Sequence, residues 1–151
     1  MIEGSLEGSD LHIGIAVASW NQTITDRLFE SATSRCSELG VSKVTVLRVP
    51  GALELPLGVL ALAEKGCDGV VAIGTIVKGE TDHYDIVVRE SNAGVNRVAL
   101  DTGVPIGNSI LAVREFEHAM ERSEAGEANK GAETVDAVVL MANALRDLAQ
   151  S

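Results

Sequence analysis

The sequence has few aromatic side chains, two cysteines and a shortage of basic residues. Its aromatic residues are Trp20, Phe29, Tyr84 and Phe116. Because rings contribute so little volume, the core must consist of Val, Ile, Leu and Ala, which suits a parallel sheet that helices cover on both faces. Hydrophobic residues still make up 46% of the chain, so part of its surface is expected to be buried against other subunits.

The low content of basic residues limits the partners of this chain. Lys and Arg number 12 and Asp and Glu number 22, which gives a formal net charge of −10. Nucleic acids and anionic membranes are both bound through clustered cations, so neither is an expected partner. A phosphate ligand would have to be held by local cations and backbone N–H groups.

The two cysteines, Cys36 and Cys67, lack the spacing of a metal site. We therefore expect two reduced thiols in a cytoplasmic protein, and no metal. Residues 1–10 are acidic, rich in Gly and Ser, and without the apolar core of a signal peptide. They are predicted to form a flexible arm, and residues 11–151 a single domain. No segment has the length of a transmembrane helix.

Hydrophobic runs and chain breaks predict strands and helices in the order β-α-β-α-β-α-β-α-α. The predicted strands span residues 11–18, 43–49, 68–76 and 104–113. The predicted helices span residues 21–39, about 52–65, 81–101, 115–123 and 129–148. Such alternation calls for right-handed crossovers. We predict an α/β protein with a flavodoxin-like fold, a three-layer α/β/α sandwich around a four-stranded parallel sheet.

The first predicted helix shows both its start and its buried face. Asn21 or Thr23 could cap its N-terminus. Four residues recur every fourth position and would face the sheet: Ile24, Leu28, Ala32 and Cys36.

The segment after the third predicted strand is the most informative part of the sequence. An apolar run at residues 70–73 breaks at a glycine-containing stretch, 74–79, and Thr81, His83 and Asp85 follow where a helix should begin. Ligands of open α/β sheets bind at such strand ends, and free N–H groups of a first helical turn attract anions. A histidine there can move protons near neutral pH. The combination indicates an enzyme that acts on a phosphorylated small molecule.

Three other strands also carry unusual residues. Residues 19–21, Ser-Trp-Asn, follow the first strand, and residues 50–56, Pro-Gly-Ala-Leu-Glu-Leu-Pro, follow the second. The fourth strand contains residues 107–109, Gly-Asn-Ser. Each segment alone is weak evidence for a particular function, because polar residues at one edge of this fold can serve many functions.

Taken together and in this order, the motifs closely resemble those of the lumazine synthase family. The resemblance runs from about residue 11 to 148. It includes Pro-Gly-Ala-x-Glu-x-Pro at 50–56, Gly-x-x-x-x-Gly-x-Thr-x-His-Tyr-Asp at 74–85, and Asn-Lys-Gly at 129–131 before an apolar helix.

This resemblance implies a transferase of riboflavin biosynthesis that catalyses its penultimate step. Such an enzyme condenses 5-amino-6-(ribitylamino)uracil with 3,4-dihydroxy-2-butanone 4-phosphate, and 6,7-dimethyl-8-ribityllumazine forms as phosphate and water leave. The amine comes from the substrate, so neither a Schiff-base lysine nor a metal or other cofactor is expected. The protein has to hold two molecules together, bind phosphate and move protons.

The resemblance assigns the ribityl-bearing substrate to residues at the ends of the first three strands. These residues are Trp20, Ala52, Leu53, Glu54, Thr75, Ile76 and Val77. Trp20 would stack on the pyrimidine, residues 52–54 would bind the ribityl chain, and backbone groups of residues 75–77 would read the pyrimidine edge. From the residues alone, Trp20 is as well explained by core or interface packing, and Glu54 by the dipole of a helix start.

The resemblance assigns the phosphate and the proton transfers to a second set of residues. Glu80 and Thr81 match the phosphate loop, in which backbone N–H groups would bind the anion while the Glu80 carboxylate points away. Arg122 and Lys130 match phosphate-site cations, although a cation at a helix end is usually a solvated charge. His83 matches the proton-transfer residue, and we expect its replacement to slow turnover without abolishing it.

In this family Asn108, Arg122 and Lys130 would reach the site from an adjacent subunit. That arrangement implies a homopentamer and leaves a 60-subunit shell of twelve pentamers open, with riboflavin synthase as a candidate protein partner. The arm of residues 1–10 could add to the sheet edge of a neighbour. Asn108 stands where several members carry Phe, so hydrogen bonding would replace stacking there.

Three other interpretations compete with this one. The archaeal type of riboflavin synthase has a related fold, but it needs no phosphate loop. A non-catalytic assembly or flavin-binding protein could stack a flavin on Trp20. A flavodoxin-like signalling or binding module explains the fold but not the polar residues at four strands.

Overall fold

In a computed structural model that describes residues 1–151, four parallel strands form one sheet in the order β2-β1-β3-β4. The strands are β1 (His12–Ala18), β2 (Lys43–Val49), β3 (Gly69–Val77) and β4 (Ile106–Val113). The helices are α1 (Gln22–Glu38), α2 (Leu55–Glu64), α3 (His83–Thr102), α4 (Phe116–Arg122) and α5 (Lys130–Gln150). The predicted three-layer α/β/α fold is confirmed.

The core is aliphatic, as the scarcity of rings predicts. One cluster joins β1 and β3 to α1 and α5 on one face of the sheet, and the other joins them to α2 and α3 on the opposite face. The largest fully buried side chains are all Leu, Ile or Val. The predicted inward face of α1, formed by Ile24, Leu28, Ala32 and Cys36, is buried. The central strands are therefore anchored from both sides, which fixes the positions of their ends.

One glycine allows a close helix contact behind the sheet edge. A Cβ atom on Gly94 in α3 would lie 2.4 Å from Cγ of Pro56 in α2. No side chain fits at that spacing, so α3 can pack directly against the first turn of α2.

Several boundaries differ from the predicted ones. A 3-10 turn at Ala52–Glu54 precedes α2, so the predicted second helix is divided. Strand β4 begins two residues later than predicted, after Pro105, which lacks an N–H group. Helix α3 begins at His83 instead of residue 81, which leaves residues 78–82 as an irregular loop.

Residues 1–10 contain no helix or strand and lie against α1 and α5. The backbone N–H of Gly8 donates to the Leu39 carbonyl at 2.8 Å, and the Asn143 amide donates to the carbonyls of Ser5 and Glu7, each at 2.9 Å. The flexibility of this arm stays a prediction. No helix of the chain is both long enough and apolar enough to span a membrane.

Candidate active site

The carboxyl ends of β2, β1 and β3 lie side by side, so the segments that follow them meet at one edge of the sheet. The backbone N–H of Trp20 donates to the carbonyl of Pro50 at 3.1 Å, which joins the first two of these segments. A Cβ atom on Gly51 would lie 2.4 Å from Cε3 of Trp20. The indole therefore rests on glycine backbone, while 65% of Trp20 remains exposed. An aromatic surface held in this way can stack on a planar ligand.

The 3-10 turn Ala52–Glu54 extends the edge beside Trp20. The Glu54 backbone N–H donates to the Gly51 carbonyl at 3.2 Å, which closes the turn. Ala52 is buried, and Leu53 and Glu54 are exposed. The Glu54 carboxylate has no hydrogen-bond donor within the chain, so it is free to accept bonds from hydroxyl groups of a ligand.

The end of β3 has an open backbone edge. Pairing of β1 with β3 stops at Val17 and Ile73, whereas pairing with β4 continues to Val77. On the β1 side, the carbonyl of Thr75 accepts a bond from Nδ2 of Asn21 at 2.8 Å. The Thr75 hydroxyl is buried and has no hydrogen-bond partner. Backbone groups beyond Ile73 are therefore placed where a ligand could pair with them.

The loop of residues 78–82 and the start of α3 lie next to this edge. Glu80, Thr81 and His83 are all exposed, and the Thr81 hydroxyl is 3.4 Å from the backbone N–H of His83. Asp82 is the N-cap residue, but its side chain does not cap the helix. Apart from the long contact of the His83 N–H with the Thr81 hydroxyl, the first turn of this 20-residue helix has no side-chain acceptor, an arrangement that attracts anions.

The two predicted phosphate-site cations lie at the side of the molecule occupied by β4. Arg122 ends α4, and its Nη1 donates to the His118 carbonyl at 3.0 Å. Because this is its one hydrogen bond, Arg122 keeps most of its guanidinium donors free. Lys130 begins α5, and its Nζ lies 3.2 Å from a carboxylate oxygen of Glu133.

Asn108 occupies the outer edge strand, opposite Ala72 in β3. Its Nδ2 donates to Oδ1 of Asn92 in α3 at 2.5 Å, and its Oδ1 accepts from the backbone N–H of Ile110 at 2.9 Å. The side chain thereby covers an N–H group of the open sheet edge, one of the ways in which edge strands are protected. This role was not visible in the sequence.

The structure thus brings the predicted residues into two groups. Trp20 and residues 52–54, 75–77 and 80–83 share the carboxyl edge of the three strands that precede them, whereas Asn108, Arg122 and Lys130 lie along β4, α4 and α5. No hydrogen bond joins the two groups. A cavity of about 750 Å³ lies between α1 and α5, and one of about 600 Å³ beside β4, away from Trp20. The first group, Trp20 with residues 52–54, 75–77 and 80–83, lies in neither cavity. It forms an open surface of the single chain, which we call the ledge.

Two buried thiols lie outside both groups. Burial raises the pKa of Cys36 to about 11, and burial together with the nearby Asp68 carboxylate raises the pKa of Cys67. Both therefore remain protonated at neutral pH and are poor nucleophiles.

Asn21 and Gly51 take part in the ledge, although neither was predicted as a site residue. Either Asn21 or Thr23 was expected to cap α1. Asn21 is the N-cap residue, but its side chain makes no capping bond and pairs with Thr75 instead. Gly51 supports the indole. Their positions beside Trp20 and within the Pro-Gly-Ala motif were the available signals.

Comparisons with known proteins agree on one family. The family model for 6,7-dimethyl-8-ribityllumazine synthase matches residues 10–146. A protein of that name from Paracidovorax citrulli is 43% identical over 146 residues, which cover 95% of this chain and 92% of the relative. One from Corynebacterium urealyticum is 44% identical over 97% of this chain and 90% of its own length. One from Streptomyces avermitilis is 37% identical, covering 93% and 89%.

Proposed function

The chain belongs to the 6,7-dimethyl-8-ribityllumazine synthase family, and from this premise we propose how its own residues carry out the reaction. It is a transferase of riboflavin biosynthesis that condenses 5-amino-6-(ribitylamino)uracil with 3,4-dihydroxy-2-butanone 4-phosphate. The product is 6,7-dimethyl-8-ribityllumazine, and phosphate and water leave. The observation that carries the assignment of residues is that an exposed Trp20 and an α3 start that the Asp82 side chain does not cap lie at one sheet edge.

The ledge is proposed to bind the ribityl-bearing pyrimidine. The ring stacks on the exposed indole of Trp20, and its polar edge pairs with backbone groups of residues 75–77. The ribityl chain lies along residues 52–54, where the unpaired Glu54 carboxylate accepts bonds from its hydroxyls. The support for this pose is the open backbone edge beyond Ile73, which no strand of the chain occupies on that side.

The butanone phosphate is proposed to bind at the start of α3. Backbone N–H groups near Glu80 and Thr81 and the Thr81 hydroxyl contact the phosphate, and Arg122 supplies a guanidinium fork that suits a phosphate. A net charge of −10 makes such local donors necessary. Lys130 adds a second cation at the same site.

The chemistry follows from this placement. The 5-amino nitrogen of the pyrimidine attacks the ketone carbon of the second substrate, and the resulting carbinolamine loses water. The resulting imine loses phosphate to give an enol, which tautomerises to a ketone. The ribitylamino nitrogen attacks this ketone carbon, and loss of a second water closes the ring of the product. Holding the reactants together supplies much of the rate, and His83 moves protons during dehydration and phosphate loss.

We propose that the site is shared between copies of the chain, with Asn108, Arg122 and Lys130 donated by a neighbour in a homopentamer. The separation of these residues from the ledge supports sharing, as does exposed apolar surface such as Leu57 and Leu100. Light scattering should give a mass of about 79 kDa for a ring of five chains of 15.8 kDa. A mass near 950 kDa would indicate twelve such rings. A cytoplasmic location and binding to riboflavin synthase belong to the same proposal.

One assay tests the proposed site. The protein is mixed with the two substrates, and the fluorescent lumazine and the released phosphate are followed against buffer, because the uncatalysed reaction also proceeds. Arg122→Ala should raise the KM for the butanone phosphate. Arg97→Ala is the matched control, since Arg97 is an exposed arginine on α3 paired only with Asp101. Equal activity of the two variants would overturn the assignment of Arg122.

A further inference from the structure

Asn21 is held in an uncommon conformation at the start of α1. Its φ and ψ are 61° and 48°, and only Asp10 among the other non-glycine residues also has a positive φ. Asparagine tolerates this left-handed region better than most residues. An N-cap asparagine ordinarily accepts a bond from the first helical turn, yet here the side chain makes none. Helix capping therefore does not explain the orientation of the Asn21 side chain.

The side-chain amide of Asn21 extends the β1–β3 ladder beyond its last strand pair. Backbone pairing between these strands ends at Val17 and Ile73. Two residues further along β3, the carbonyl of Thr75 accepts from Asn21 Nδ2 at 2.8 Å, a partner 54 residues away. The amide thus fixes the point at which the open backbone edge of residues 75–77 begins.

The residue next to Asn21 fixes the aromatic face of the ledge. The Trp20 backbone N–H donates to the Pro50 carbonyl at 3.1 Å, and the indole rests on Gly51. The dipeptide of residues 20 and 21 consequently joins the end of β2 to the end of β3. These two residues set the distance between the Trp20 indole, on which a planar ring would stack, and the backbone of residues 75–77, with which that ring would pair.

We infer that Asn21 is a positioning residue for the pyrimidine substrate, acting through Thr75 and Trp20. This inference rests on the proposed function, because it assigns a residue to the pyrimidine half of that site. A ring that must stack and hydrogen-bond at once binds well only when both surfaces are held in register. Loss of the amide should therefore weaken pyrimidine binding and leave the phosphate half of the site unchanged.

Two substitutions separate this role from a structural one. Asn21→Gly keeps access to the left-handed conformation and removes the amide. Asn21→Asp keeps the shape but places a carboxylate oxygen against the Thr75 carbonyl. Thr23→Ala, an exposed residue in the same helical turn, is the control.

For Asn21→Gly we expect the KM for the pyrimidine to rise about 3- to 10-fold, the worth of one net hydrogen bond, with a larger rise for Asn21→Asp. The KM for the butanone phosphate should change less than about twofold, and Thr23→Ala should match the parent protein. An unchanged pyrimidine KM in Asn21→Gly would overturn the inference. So would a parallel rise of both KM values together with a lower melting temperature, since that pattern indicates general loss of structure.

A second readout makes failure of the inference distinguishable from failure of the proposed function. Trp20 is the single tryptophan of the chain, so its fluorescence anisotropy and emission maximum report on the ledge alone. Absence of lumazine formation by the parent protein would contradict the proposed function. If the parent protein forms no lumazine, a lower fluorescence anisotropy of Trp20 in Asn21→Gly would still show that Asn21 holds Trp20 in place. Unchanged anisotropy would contradict that role.

Discussion

Trp20, Glu54 and His83 are exposed, and none of their side chains forms a hydrogen bond with another part of the chain. Such groups contribute little to folding, because exposed side chains without partners bury little surface and satisfy no buried polar group. Changes at these residues should therefore affect turnover or binding far more than stability. That expectation lets their functional roles be tested without the complication of unfolding.

His83→Ala should lower kcat by roughly 10- to 100-fold. The loss is small for a general acid–base residue, because holding the two substrates together supplies much of the rate acceleration. His118→Ala is the matched control, since His118 is also an exposed histidine but lies on α4. Turnover measured at saturating concentrations of both substrates checks this. Undiminished kcat in His83→Ala would remove His83 from the reaction.

Thr75→Val should raise the free energy of unfolding by about 1 kcal/mol, because a buried hydroxyl without a partner is replaced by a methyl group of the same shape. Thr134→Val provides the contrast. The Thr134 hydroxyl bonds Lys130 and Ser109, each at 2.7 Å, so its loss should cost about 1–3 kcal/mol. Chemical denaturation measures both. Equal destabilisation would show that the Thr75 hydroxyl has a partner.

The sequence indicated which residue types surround the site but not their partners. Trp20 and His83 follow strands in recognisable motifs, so their places at the sheet edge could be predicted. The bond from Asn21 to Thr75 joins residues 54 positions apart, and no local pattern encodes it. Asn108 was expected to meet a ligand, and its bond to Asn92 in α3, 16 positions away, was likewise not encoded by a local pattern.

Helix α1 shows how a simple pattern determines an element. The four-residue repeat of apolar side chains places Cys36 in the core, and burial raises its pKa from 9.0 to about 11. A folded-state pKa above the unfolded value means that the unfolded chain loses this proton first as the pH rises. The stabilisation of the fold by the protonated Cys36 thiol is therefore fully present below pH 9 and is lost between about pH 9 and 11.

The free energy of unfolding should consequently fall by up to about 2 kcal/mol between pH 9 and pH 11 through this thiol. In Cys36→Ala that part of the decrease should disappear, even though the variant is less stable at pH 8. Cys67 remains in both proteins and contributes equally to each. Denaturation curves at pH 8, 9 and 10.5 provide the measurement, and identical slopes against pH would contradict the prediction.

The existence and type of every long element could be predicted, whereas several boundaries could not. Apolar repeats and glycine breaks identify the four strands and the main helices. The division at Ala52–Glu54 and the late start of α3 depend on how the chain crosses the sheet edge. These two departures occur in the segments that form the ledge, where local preferences give way to the geometry of the site.

At the scale of the whole molecule, the single chain leaves its site and much apolar surface uncovered. Leu57 and Leu100 are 72% and 78% exposed. Burial of such side chains against a second chain would remove apolar surface from water, which favours association. The residues proposed for phosphate binding are divided between the α3 start and the helices α4 and α5, and no hydrogen bond joins the two groups within one chain.

Complementation between two variants tests the shared site most directly. Trp20→Ala removes the ledge surface and Arg122→Ala removes the donated cation, and each alone should form little lumazine. If each site combines the ledge of one chain with the cation of the next, randomly mixed rings refolded from equal amounts should have about one quarter of their sites intact. We therefore expect the mixed rings to recover about one quarter of the parent activity. No recovery in mixed rings whose assembly is verified by light scattering would contradict it.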